Sequence, residues 1–195
     1  ALWSFLHTHF ESASTPLLGH SLQGKHLQQN GYLIDYALFI QASIDLFEAT
    51  TNPVYLEKAT IWAEQAIKLF QREKSALLDY TPVGQLETPL AQLDLHDLEL
   101  PSGNSVMHRN LWRLGLHLDR PAWLRLSEAM LSTMQVEMAD NPLSCGDWLH
   151  HLLTFQTGYL ELGIIGPDAP SWLQEIRRHY FLPQSILLAS TNGQP

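Results

Sequence analysis

A single cysteine in 195 residues, Cys145, leaves no intrachain disulfide to form, and no Cys-x-x-Cys pair occurs. The chain needs no oxidising compartment, and its expected location is the cytoplasm. Basic residues are scarce too: 11 Lys and Arg stand against 20 Asp and Glu, a formal net charge of −9. That balance repels phosphate backbones and anionic lipid, and no local basic patch offsets it, so neither nucleic acid nor a membrane is an expected partner. No run reaches the ~18–20 uninterrupted apolar residues of a membrane helix, and no basic segment precedes an apolar core at the start. A Gly-rich phosphate loop, a Gly-x-Ser-x-Gly elbow and a dinucleotide fingerprint are missing, which removes support for nucleotide, acyl-transfer and hydride chemistry. No cofactor is expected.

What is present is helical periodicity. With 45% hydrophobic residues and six Trp, the chain has enough apolar material for one core. Leu2, Phe5, Leu6 and His9 share one helical face, with no capping residue ahead of them, as though the chain were cut from something longer. Gly19 to Asn30 is polar; Tyr32 to Thr50 then spaces Leu33, Tyr36, Ala37, Ile40, Ile44 and Phe47 by threes and fours. Asn52-Pro53 starts a second helix, and a short link makes the two an antiparallel hairpin. After a polar stretch from Gln71 to Glu99, Ser102 to Leu118 and a helix from Pro121 give a second pair, and Asn141-Pro142 predicts another helix to about Leu160. The apolar Leu162-Gly-Ile-Ile-Gly166, a helix from Ala169 to Tyr180 and Ser185 to Ala189 predict a β-α-β appendage. The expected fold is all-α: an α-hairpin repeat over 1–160, with a small α/β appendage over 161–195 of the same domain.

Gly24-Lys25 with Gly31-Tyr-Leu-Ile-Asp-Tyr-Ala37, then Leu100-Pro-Ser-Gly-Asn-Ser-Val106, then Gly163-Ile-Ile-Gly166 with Arg177-Arg178 and Leu182-Pro183, resemble the C-terminal half of one family. It is the thioredoxin-domain-containing family akin to spermatogenesis-associated protein 20. The resemblance covers nearly the whole chain. It implies a six-hairpin α/α toroid, the architecture of N-acylglucosamine 2-epimerases and many glycoside hydrolases, of which this chain would be about half. It also implies an N-terminal thioredoxin-like domain that this sequence does not contain, so thiol chemistry is not assigned here. Where the family carries an acidic residue before the Asp-Tyr pair, this chain has Ile34.

Toroid clefts are lined by helix-start loops, which makes Asp35, Asp97 and Glu99 the candidate acid/base carboxylates and His96 or His20 a candidate general base. The competing reading of Asp35 and Asp97 is that they cap helix ends. Ser102, Asn104 and Ser105 read two ways: as hydroxyl, amide and N–H groups turned toward a ligand, or as a cap with Gly103 permitting a tight turn. Tyr36 is either a stacking face for a sugar ring or core, and Trp148 shares that ambiguity. The ten His show no His-x-x-x-His or Glu-x-x-His spacing on one helix face, so no metal site is expected. Three functional classes follow: a carbohydrate-active or sugar-binding domain, a non-catalytic module serving a thioredoxin-like domain, and an epimerase-like isomerase. The expected partners are a sugar or sugar-like small molecule, a second copy through self-association, or the N-terminal thioredoxin-like domain.

Overall fold

Local cap chemistry and apolar spacing account for most of the helices. The computed structural model describes residues 2–11, 17–24, 26–84 and 93–179 and the backbone of 185–190. Lys25, Tyr180 and Leu182-Pro183, which figure in the expectations above, lie outside these residues. Helix α1 spans Leu2–Phe10, α2 Leu33–Thr50 and α3 Pro53–Phe70. Asn52 Oδ1 accepts from Val54 N at 3.1 Å and Pro53 holds the first position of α3, as the sequence predicts. Thr51, at φ 58°, turns the chain back between α2 and α3. Helix α4 spans Gly103–His117 and α5 Pro121–Thr133, the second antiparallel pair.

One expectation needs correction, and one stretch read only as polar takes a defined form. The helix predicted from Asn141-Pro142 to about Leu160 is broken: Pro142–Ser144 form one 3₁₀ turn after a short α6, Gln135–Asp140, and α7 covers only Gly146–Thr157. Gly158, at φ 85°, stops α7, and β3 begins two residues later at Leu160. The polar stretch Gly19–Asn30 is an antiparallel hairpin of β1, Gly19–Gln23, and β2, His26–Asn30. Gly24 turns it at φ 64°. The expected strand–helix–strand is present: β3, Leu160–Ile165, runs parallel to β4, Ser185–Ser190, with α8, Ala169–His179, between them.

Side-chain pairings fix the direction of the main helices. A Cβ on Gly103, at the start of α4, would stand 3.1 Å from Ile34 N at the start of α2. At the other end, His117 Nε2 lies 2.9 Å from Glu48 Oε1. Helices α2 and α4 are therefore parallel. His108 stacks on Trp148 and Trp112 meets His151 and Phe155, so α7 runs parallel to α4 as well. The core lies between these helices and their antiparallel partners, with Leu33, Tyr36, Ile40, Ile44, Phe70, Met107, Leu111, Leu114 and Met130 almost wholly buried. Trp3 and Leu6 pack α1 onto the same core, and Trp3 Nε1 donates to Ser43 Oγ at 3.0 Å.

Gly103 serves close packing, and its backbone is not in the left-handed region. An added methyl would press on α2 at 3.1 Å and on Asp94 Oδ2 at 3.2 Å. Gly103→Ala is expected to destabilise the chain by roughly 1–3 kcal/mol, the ordinary cost of overpacking, measurable as a lower urea midpoint with unchanged slope.

Candidate functional site

The N-termini of α2, α4 and α7 stand side by side, and each presents backbone N–H groups that no helical carbonyl satisfies. The chain meets these donors with its own atoms. Leu33 N donates to Tyr80 O at 3.0 Å. Asp94 Oδ2 accepts from Gly103 N at 2.6 Å. Asp97 Oδ1 accepts from Ser102 N at 2.7 Å and from Ser105 Oγ at 3.0 Å, while its Oδ2 accepts from Asp147 N at 2.7 Å. A single carboxylate thus holds the starts of both α4 and α7, where the helix dipoles favour negative charge.

The remaining polar atoms of the Pro-Ser-Gly-Asn-Ser segment also turn inward. Ser102 Oγ accepts from Ser105 N at 3.1 Å. Asn104, fully buried, accepts from Leu78 N and donates to Leu78 O, both at 2.8 Å, and donates to Asp94 O at 3.0 Å. The first is the helix's own N-cap bond, and the three of Asn104 tie α4 to the loop that precedes it.

Beside this junction lies a solvent-facing cluster. His20 on β1 reaches across to Asp35 on α2, with Nδ1 2.9 Å from Oδ2. Asp35 also accepts from Tyr32 N at 2.8 Å and so closes the first turn of α2. The His20 ring stands edge-on to Tyr32, with centroids 4.8 Å apart, and Tyr32 stacks on Tyr80 at 4.7 Å and 11°. Burial raises the Tyr80 phenol above its ordinary value, and Tyr32, Asp94 and Asp35 push it the same way. The cluster combines one imidazole–carboxylate pair, two phenols and a half-buried second carboxylate, Asp94.

Of the residues singled out from sequence, His20 and Asp35 meet directly, and Asp97, Ser102 and Ser105 meet in the junction. Tyr36, next to Asp35, faces the core: it is 1% exposed and its hydroxyl accepts from Leu18 N at 3.0 Å. Trp148 is buried and donates to Leu95 O. His96 pairs away from the cluster with Glu137 at 2.7 Å, and Glu99 is exposed on the same loop. Tyr32, Tyr80 and Asp94 were not picked out by sequence reasoning; Tyr80 and Asp94 sit in the polar stretch that carries no periodic signal. Burial, with Asp97 and Glu137, holds the Cys145 thiol above its ordinary value, so the thiol is a poor nucleophile. Among the described residues no group of three His, Cys, Asp or Glu is placed to hold a metal ion, and no helix is long and apolar enough to cross a membrane.

No protein-family model matches the chain. Curated proteins do: spermatogenesis-associated protein 20 of Mus musculus is 27% identical over 171 residues, covering 85% of this chain and 21% of that protein. The proteins of the same name from Homo sapiens and Rattus norvegicus are 26% and 27% identical over the same length. This similarity agrees with the resemblance read from the Gly31–Ala37 and Leu100–Val106 segments. The chain spans about a fifth of the length of the curated relatives it matches.

Proposed function

Given its relation to spermatogenesis-associated protein 20, we propose that this chain is a section of a longer protein of that kind, about half of an α/α toroid. We further propose that it binds a sugar or sugar-like polyol through His20, Tyr32, Asp35 and Tyr80. The parallel set α2, α4 and α7, two of them followed by an antiparallel partner, supports the toroid reading. The observation that carries the ligand reading is the His20–Asp35 pair standing against the stacked Tyr32 and Tyr80 rings. Sugars are held in this way, with hydroxyls bonded to carboxylate and imidazole while ring C–H groups lie on aromatic faces. Asp97 has its oxygens committed to α4 and α7, so any acid/base role rests on Asp35 and His20.

The test is a thermal-shift screen against neutral sugars, amino sugars and sugar phosphates, repeated with Asp35→Asn and Tyr80→Ala. A ligand present at 100 times its Kd stabilises the fold by about 2.7 kcal/mol. At least one sugar is expected to raise the wild-type midpoint and to lose most of that effect in both variants. A screen in which no sugar acts removes the ligand reading.

One observation favours a second reading, a non-catalytic interaction module. Leu98, Leu100, Val136 and Leu143 are 82%, 63%, 72% and 98% exposed. They gather where Asp97 N bonds Ser144 O and His96 meets Glu137. An apolar rim of this kind suits a second copy of the chain or a thioredoxin-like domain.

A further inference from the structure

Five of the ten histidines have a carboxylate partner within hydrogen-bond reach: His7 with Glu11, His20 with Asp35, His96 with Glu137, His117 with Glu48 and His179 with Glu175. Two others are buried with no such partner among the described residues. His108 on α4 is 0% exposed and His151 on α7 is 3% exposed, with ring centroids 4.8 Å apart at 77°. His108 Nδ1 donates to Ser127 O at 2.9 Å, which fixes its proton there and leaves Nε2 as the basic atom. That Nε2 and His151 Nδ1 are both buried and have no hydrogen-bond partner among the described residues.

The surroundings make a proton unwelcome. From α4, Arg109 acts on both rings and Arg113, its guanidinium bound to Asp45 and Glu48 of α2 at 2.7 and 3.0 Å, acts more weakly on His151; from α7, His150 adds a further basic group. The carboxylate at this seam, Asp147, is bound to Arg109 at 2.7 Å. From α5 the neighbour is Ser127, which carries no charge. Trp148 stacks on His108, and Trp112, edge-on to His151, is covered in turn by Tyr159. Tyr159 keeps Glu161 at its own hydroxyl.

We propose that the His108–His151 pair is an acid-sensitive latch between α4 and α7, whose rings take up protons from solvent when α7 lifts away, so that acidification releases α7. Burial pulls the His108 pKa down to about 4 and that of His151 lower still, with the neighbouring cations adding to the effect. Both values lie below the ordinary 6.5 of an open histidine, so the open state binds more protons. The closed seam is fully favoured above pH 6.5 and loses ground as pH falls toward 4. Each histidine multiplies the open population by roughly tenfold per pH unit in that window.

The experiment is amide hydrogen exchange of the whole chain at pH 7 and pH 4.5, corrected for intrinsic rates, on the wild type and on His151→Gln and His108→Gln. Protection of 146–157 is expected to fall by roughly a hundredfold or more in the wild type, while 33–50 changes by less than about tenfold. Each variant is expected to reduce the acid-dependent loss by at least about tenfold. Unchanged protection of α7, equal loss in α2 and α7, or variants as acid-labile as the wild type would each overturn the latch. If a variant does not fold at pH 7, the wild-type comparison of α2 with α7 decides alone.

Discussion

Asp97→Ala is expected to cost roughly 3–5 kcal/mol, because one side chain caps two helices. The substitution removes acceptors from Ser102 N, Asp147 N and Ser105 Oγ together. Loss of a cap costs about 1 kcal/mol and up to about 2 in proteins, and the lost charge-assisted bond from the Ser105 hydroxyl, which keeps Ser102 O as an acceptor at 2.9 Å, adds about 1 more. For a chain of this size each kcal/mol moves the midpoint by about 2–4 °C, so a fall of roughly 6–20 °C is expected. Asp97→Asn keeps one acceptor oxygen and turns an amide donor toward backbone N–H groups, so about half the loss remains. The check is urea denaturation of the three proteins followed by circular dichroism. A loss below about 1 kcal/mol for Asp97→Ala would mean that the two helix starts are held by something else.

Asn104→Ala is expected to cost about 3 kcal/mol by a different route. Asn104 is fully buried and makes three hydrogen bonds, two of them to both backbone groups of Leu78, itself 0% exposed. Truncation leaves the buried N–H and carbonyl of Leu78 and the part-buried Asp94 carbonyl without this partner, at about 1–3 kcal/mol each for the buried pair before relaxation. Asn104→Asp is the sharper probe. Its shape is nearly unchanged, but an oxygen replaces the amide that donates to Leu78 O and Asp94 O, so two attractions become repulsions. Its destabilisation, read from the same urea curves, is expected to equal or exceed that of Asn104→Ala.

These two residues mark where sequence reading succeeds and stops. Asn52-Pro53 declares a helix start because its cap bond spans two residues, and α2 and α3 show their buried stripes at regular spacing. The Leu100–Val106 segment also declares a helix start. Whether its polar atoms face a ligand or the protein depends on Leu78, Asp94 and Asp147, the first 26 residues before Asn104 and the last 50 after Asp97. No local pattern carries that information. The β1–β2 hairpin is hidden for a related reason. His26-Leu-Gln-Gln-Asn30 has weak strand preference, and the strands are anchored from outside, through Gly31 N donating to Leu18 O and Leu18 N donating to Tyr36 Oη. The break after Asn141-Pro142 follows from Asp97, which starts α7 at Gly146 by accepting from Asp147 N. His20 and Asp35 are legible as separate candidates, but their pairing needs the hairpin. Tyr80 joins them only because the loop after α3 returns to the start of α2, where its carbonyl meets Leu33 N.

The central claim is that the Pro-Ser-Gly-Asn-Ser segment is a structural junction and that ligands meet the chain beside it, at Tyr32, Tyr80, His20 and Asp35. The most direct measurement is calorimetric titration of a sugar found by thermal shift into wild type, Tyr80→Ala and Ser105→Ala. Binding that is lost in Tyr80→Ala and kept within about threefold in Ser105→Ala, despite the lower stability of the latter, is the expected result. Binding lost in Ser105→Ala and kept in Tyr80→Ala would contradict it and place the ligand on the helix start of α4.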